Sequence, residues 1–376
     1  MQVQFGIPVE VDMVDWQRSF AEGRIPDAVP YGLDKLSGAG VDFRTTPLDP
    51  LTTARGLALV LGPRLAPGPR LALGPRLAPG PRLAPGRPRL SGRRRDLDGR
   101  RRIVTPGWSI AWDEHIGLRL LAHTSGARTA CGIIWATDEF GRGALANTRA
   151  RLRLMMLRPL DLVWCLSRAQ VAPLRHVLGS GTRVEFLKFG VDTRFFDSRP
   201  MPAQPAVLSI GNDKDRDTPT LLAALELVQR ARPDVALRVQ FSGDHRVPAG
   251  VERLAAMTHA ELREEYARST VVAIATRPNL HVSGMTAVLE GMATGRPVVL
   301  TRTPGAEDYV SDGNWGFLTE PGKAQDLARR ILEALQPDNA HRLGAAGREA
   351  AVADFDTSHM ARRLAAILAS YSPAVT

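Results

Sequence analysis

Lysine is nearly missing from this chain: Lys35, Lys188, Lys214 and Lys323 stand against 45 arginines. Such a bias reads as a GC-rich coding sequence rather than as selection for guanidinium chemistry. Cysteine is almost as scarce. Cys131 and Cys165 both lie in apolar runs, "ACGIIWAT" and "LVWCLS", which points to buried reduced thiols and excludes a disulfide framework or a cysteine zinc site. No apolar run approaches the roughly 20 residues of a membrane-spanning helix. The first residues, "MQVQFGIPVEVDMVDW", lack a basic start and are interrupted by Glu10 and Asp12, so no signal peptide is expected and the protein reads as cytoplasmic. A Gly-Lys-Ser/Thr loop is missing too, which argues against triphosphate hydrolysis.

The net charge of +10 invites a nucleic-acid or anionic-membrane reading until it is located. Residues 62–102 carry twelve arginines against Asp96 and Asp98, so this one segment accounts for the whole excess. It opens on "GPRLAPGPRLALGPRLAPGPRLAPGRPRL", a hexapeptide repeated four times before it loses phase. Its prolines remove the amide donors that a β-helix ladder needs, so an extended, disordered loop is expected. A tether, a lid or an adaptor for anionic partners remains open for it.

Elsewhere short apolar strands alternate with amphipathic helical stretches, the signature of parallel α/β sheets. Strands are expected at 3–8, 41–45, 108–112, 131–137, 162–167 and 184–190. A proline-rich joint, "DSRPMPAQP" (197–205), precedes a second series with strands at 206–211, 236–243, 271–276, 297–301 and 316–320 and helices at 218–233, 259–269 and 284–295. The expected fold class is therefore two facing Rossmann-like domains with a ligand cleft between them. The boundaries read as 1–198, carrying the insert, then 199–357, with a last helix from 358 to the chain end packing back on the first domain.

The most informative stretch is 281–331, "HVSGMTAVLEGMATGRPVVLTRTPGAEDYVSDGNWGFLTEPGKAQDLARRI". It resembles the donor-binding region of glycosyltransferase family 4, retaining enzymes of the GT-B fold, in its glycine loop, its helical Glu290, "MATGRPVV" and "PGAEDYVSDGNWGFL". A second match is "VLSIGNDKDRDTPTLLAALELV" (207–228), and a third is "DLVWCLSRAQVAPLRHVLGSGTRVEFLKFGVDTRFF" (161–196). The likeness covers about 160–376 and weakens before that.

The resemblance implies a nucleoside-diphosphate-sugar donor, a hydroxyl-bearing acceptor and transfer with retention. It needs no obligatory metal and no cofactor beyond the donor. Gly211, Asn212, Arg216, His281, Ser283, Gly284, Met285, Thr286 and Glu290 are the donor-binding candidates. A turn entering a helix offers amides and the positive dipole end to a diphosphate, with Arg216 as its forked cation. Glu290 would accept ribose hydroxyls. Where the family carries a first glutamate this chain has Val282, with His281 or the backbone at 282–284 taking over part of that role. "Gly211-Asn212" likewise replaces the family's Gly-Arg. A non-catalytic binding protein of the same fold is the alternative reading.

On the acceptor side, "IAWDEHIG" (110–117) supplies Asp113, Glu114 and His115 as the catalytic candidates that orient or deprotonate the acceptor hydroxyl. The competing reading is that they only open a helix. "ATDEF" (136–140) is a second candidate loop. Asp213, Asp215 and Asp217 begin like a calcium loop, but Thr218 stands where glycine is required and Ala224 where glutamate is, so no metal site is expected. "TRARLRLMMLRPL" (148–160) reads as a core helix, with peripheral contact at the inner face of a membrane left open.

Overall fold

The computed structural model describes residues 1–50, 107–124, 127–140 and 142–371. The arginine-rich repeat, expected as a disordered loop, lies outside these residues.

The first half of the chain builds one parallel sheet from β1 (Gln2–Pro8), β2 (Asp42–Leu48), β3 (Trp108–Ala111), β4 (Arg128–Ile133), β5 (Leu162–Cys165) and β6 (Arg183–Phe186). Its spatial order is β2-β1-β3-β4-β5-β6. The helices α1 (Met13–Ala21), α2 (Glu114–His123), α3 (Ala144–Met155) and α4 (Arg168–Leu178) connect the strands. The inner strands β3 and β5 are buried on both faces, as a parallel sheet covered on both sides demands. Leaving Trp108 and Trp164 in water would cost several kcal/mol, and both are buried in the core that also takes Phe5 and Leu162.

The second half repeats the plan. Here β7 (Ala206–Ser209), β8 (Ala236–Val239), β9 (Val251–Arg253), β10 (Val271–Ile274), β11 (Val298–Thr301) and β12 (Gly316–Thr319) form a sheet in the order β12-β11-β10-β7-β8-β9. It is flanked by α5 (Thr218–Ala231), α6 (His259–Ala267), α7 (Met285–Ala293) and α8 (Ala324–Ala334). Both sheets are parallel throughout. In each the strand order reverses once among the described strands, between β1 and β3 and between β7 and β10. The carboxyl ends of those strands are where such sheets leave a crevice.

Two crossings join the halves. One runs from β6 to β7. The other follows α9 (Pro337–Asp354), where the chain turns at Phe355–Asp356 into α10 (Thr357–Ala369). The crossings touch: the Val191 amide donates to the Phe355 carbonyl at 2.9 Å, and the Thr357 amide donates to the Val191 carbonyl at 3.1 Å. Helix α10 then lies against Pro30–Ala39, where Gly32 is so close to Thr357 that a Cβ would collide with it.

Several strands end earlier than their apolar runs suggest. β4 stops at Ile133, yet Ile134 and Ala136 are still buried, and β5 stops at Cys165 although Leu166 is 1% exposed. Ile134 and Leu166 join the core that residues of both halves share and Ala136 joins that of the first half alone, so the apolar runs report burial rather than strand pairing.

Candidate active site

Between the two switch points lie two cavities that share Tyr31, Trp112, Phe189 and Thr286. The smaller, of about 270 Å³, is at the second sheet and is lined by Gly211, Asn212, Arg216, His281, Gly284 and Met285, among others. The larger, of about 380 Å³, is at the first sheet and reaches Glu290 across the cleft.

Arg216 is the central cation of the smaller cavity. Its guanidinium lies between two glycines: a Cβ on Gly211 would collide with Nη2, and one on Gly284 would stand 2.7 Å from Nη1 and 2.5 Å from Cγ2 of Ile274. Both glycines also have positive φ, 119° and 90°, which only glycine adopts without strain. Among the described residues Arg216 makes no ion pair and no side-chain hydrogen bond, and its Nε is buried without a partner. Burial lowers its pKa to about 10, which leaves it charged at neutral pH. Helix α7 begins beside it at Gly284, with no side chain capping its first turn. A guanidinium without a hydrogen-bond partner beside uncapped helix amides offers donors of the kind that suit an anion.

His281 and Ser283 are tied into a hydrogen-bonded and charged cluster. Ser283 Oγ donates to Asp213 Oδ1 at 2.8 Å instead of capping α7. The imidazole of His281 is 2.5 Å from Asp138 Oδ2 through Nδ1 and 3.2 Å from Asp213 Oδ2 through Nε2. Burial disfavours the imidazolium, but the two carboxylates outweigh it and raise the pKa to about 9. The partner Asp213 is held well below the usual carboxylate range by that hydrogen bond, against the opposing effect of its own burial. Asp138 comes from the first half, so this cluster spans the cleft. Lys214 and Arg142 complete it, each 2.6 Å from Asp215. Asp138, Asp215 and His281 present ligand atoms within 4.8 Å of one another, a spacing that suits a metal. Lys214 and Arg142 already neutralise the negative charge that such an ion would need.

Val282 is strained. It is β-branched, 1% exposed and held at φ 55°. Tyr31, at φ 65°, is the other non-glycine residue with positive φ among the described residues, and its ring stacks on Trp112 at 4.2 Å. Both line the smaller cavity. Such backbone costs about 1–3 kcal/mol each and concentrates at functional sites.

Glu290 is buried in α7 and accepts a hydrogen bond from Tyr266 Oη at 2.7 Å. Burial raises its pKa to about 7 despite that bond. It faces the larger cavity, as Asp113 does.

The acceptor-side trio does not converge. Asp113 is the N-cap of α2, its Oδ1 accepting from the amides of His115 and Ile116 at 2.9 and 3.1 Å. Glu114 is fully buried, and its two oxygens accept from the amides of Ile134 and Trp135 at 2.9 and 3.0 Å. His115 is exposed, 6.4 Å from the Trp135 ring. Of the three, Asp113 alone lines a cleft cavity. Asp138 lies in the "ATDEF" loop expected as a second candidate, whereas Lys214 and Tyr31 are cleft residues that motif reading did not single out.

Together the two sheets and the cleft define the GT-B class of fold. Residues 204–337 match the family described as Glycosyl transferases group 1, and this stretch is a domain of that kind. Among curated proteins, the chain is 29% identical over 180 residues to the putative glycosyltransferase EpsD of Bacillus subtilis, a match that spans only 44% of each protein. It is 28% identical over 280 residues to a GDP-mannose-dependent alpha-(1-6)-phosphatidylinositol monomannoside mannosyltransferase of Mycolicibacterium smegmatis, covering 66% of this chain and 72% of that one. Anabaena HepE, solved with UDP and glucose, superposes with a TM-score of 0.60 at 15% identity over 99% of this chain and all of the other. Sucrose-phosphate synthase of Thermosynechococcus elongatus gives 0.57 at 20% identity, covering 69% of this chain and 72% of the other. Among the described residues no helix is long and apolar enough to cross a membrane.

Proposed function

We propose that this protein is a retaining, family 4-like glycosyltransferase that moves a sugar from a nucleoside diphosphate to an acceptor hydroxyl. The reading rests on one observation above the others: Arg216, without a partner and held between Gly211 and Gly284, faces the same cavity as the uncapped start of α7. A diphosphate leaving group supplies the negative charge that this arrangement lacks, and neutralising it there lowers the barrier to departure. No metal is needed when a fork of donors and a helix terminus share that work.

The second half, about 199–357, takes the donor and the first half, about 1–198, takes the acceptor. Asn212 and Thr286 border the sugar and diphosphate. Glu290 receives ribose hydroxyls from the larger cavity, with Tyr266 holding its carboxyl in place. With Val282 in the family's glutamate position, the backbone of 282–284 contacts the sugar, while His281 shapes the loop from behind. Asp113 is the acceptor-side group. The relatives named above as glycosyltransferases support the reading, and Anabaena HepE was solved with UDP and glucose.

Thermal melting of the full chain with saturating UDP and GDP tests it. The reading expects a rise in midpoint with at least one of them and its loss in Arg216→Ala. No rise with any nucleoside diphosphate would overturn it. Release of nucleotide from a panel of nucleotide sugars, followed by mass spectrometry, then separates a transferase from a binding protein.

A further inference from the structure

Only one side of helix α3 (Ala144–Met155) belongs to the core. Ala150 and Leu154 are buried, and Leu154 packs with Leu157 into the core of the first half. The other side carries Leu145 at 73%, Leu152 at 58% and Met155 at 46% exposure, so three large apolar side chains lie on the outside. At about 100° per residue, Leu145, Thr148, Leu152 and Met155 fall within an arc of about 80°, and Arg149 and Arg151 stand about 40° beyond its two edges. Both arginines are exposed, and among the described residues their guanidinium groups make no ion pair and no hydrogen bond. The other arginines of 142–160 are engaged: Arg142 with Asp215 at 2.6 Å, Arg153 with Glu139 at 3.4 Å and Arg158 with the Val177 carbonyl at 2.7 Å. The same stretch holds no acidic residue.

An apolar strip flanked by two unpaired cations selects among partners by charge. A second copy of this face would set arginine against arginine. The segment 62–102, with twelve arginines against Asp96 and Asp98, carries the same sign. A nucleic acid would pair with the arginines but leave the leucines in water. A bilayer with anionic headgroups satisfies both, because apolar side chains sink below the headgroups while arginine heads stay at the phosphates. We propose that α3 docks the protein on an anionic lipid surface, with Leu145, Leu152 and Met155 inserted and Arg149 and Arg151 at the headgroups. The helix lies in the surface and does not cross it, since its 12 residues are too few to span a bilayer. Arg142, two residues before the helix, reaches Asp215 at the cleft, so docking brings that lip of the cleft to the lipid. The contact involves neither cavity and stands apart from the transferase reading. Helix α1 makes the contrast: it exposes Val14 at 68%, but among Asp12, Asp15 and Glu22, whose charge repels such a surface.

Sedimentation of the full chain with vesicles tests the proposal, using phosphatidylcholine alone and an equal mixture of phosphatidylcholine and phosphatidylglycerol. The expected result is binding to the mixed vesicles, weakened by high salt, and little binding to phosphatidylcholine alone. The paired substitutions Leu145→Ser/Leu152→Ser and Arg149→Ser/Arg151→Ser should each lower the partition coefficient about tenfold, while Val14→Ser leaves it unchanged. All five positions are exposed, and circular dichroism melting verifies that the variants fold. No binding to the mixed vesicles, or equal binding to both kinds, would overturn the proposal. Binding that survives both pairs would assign the contact to other arginines and overturn it as well. A loss confined to one pair would do the same, because insertion and headgroup pairing are parts of one contact. A dimer in light scattering that the leucine pair abolishes would identify the face as an interface between copies and overturn the lipid assignment.

Discussion

The imidazole Nδ1 of His281 lies 2.5 Å from Oδ2 of Asp138, and this pair connects the loop after β10 to the loop after β4 across the cleft. The Leu280 amide adds a second tie, donating to Asp138 Oδ1 at 2.8 Å. A proton on His281 therefore strengthens one of several contacts between the two halves.

That proton gives a pH dependence. The His281 pKa is about 9 in the folded chain against 6.5 for a free imidazole. Its ion pairs contribute fully below about pH 6.5, and the contribution is lost as pH rises through 9. Glu290, raised from 4.5 to about 7, acts in the same direction, because its buried carboxyl must ionise above that value. The urea midpoint should fall between pH 6.5 and 9.5, and more shallowly in Asp138→Asn. An identical slope in that variant would disprove the assignment to His281.

Glu114 is expected to be structural. Glu114→Ala leaves two buried amides, those of Ile134 and Trp135, without acceptors, at a cost of roughly 2–5 kcal/mol. Denaturant titration should show this loss, while ligand affinity per folded molecule stays unchanged. A variant of full stability and lost function would return Glu114 to the catalytic group.

Gly211→Ala should imitate loss of Arg216 without altering any charge. The new methyl both displaces the guanidinium and sits at a φ of 119°. Nucleoside-diphosphate affinity, read by titration calorimetry, should drop at least tenfold, with a stability loss of about 1–2 kcal/mol from the backbone alone. Unchanged affinity would remove Arg216 from the diphosphate site.

Tyr309 offers a test of the interface itself. Its hydroxyl donates to the Leu166 carbonyl at 2.6 Å and accepts from the Phe189 amide at 3.1 Å, both in the first half. Tyr309→Phe should destabilise the protein by about 1–3 kcal/mol, because the Phe189 amide is left buried and unpaired. Calorimetric melting checks this, and a midpoint equal to that of the parent would show that the halves do not rely on the contact.

Much of the architecture was legible because alternating strands and amphipathic helices leave a periodic trace that single residues do not blur. The glycine loop before α7 and Arg216 were singled out because 281–331 and 207–228 resemble a known family, and the structure brings both to one cavity. The roles of His281 and Ser283 were not legible. Both were read as facing a ligand; each also reaches Asp213, a partner about 70 positions away in the chain that no local pattern signals, and His281 lines the smaller cavity as well. Asp113, Glu114 and His115 were read as one cluster because they are adjacent, but the first turn of a helix fans consecutive side chains apart. β9 was missed because its three residues, Val-Glu-Arg, are too short and too polar to leave a pattern.

The paired crossings at Val191 and Asp356 have a mechanical meaning. Two covalent links that lie side by side and share a parallel bridge behave as a hinge with one axis, whereas a single link would behave as a swivel. Any separation of the halves must therefore turn both links together, and it must also part His281 from Asp138.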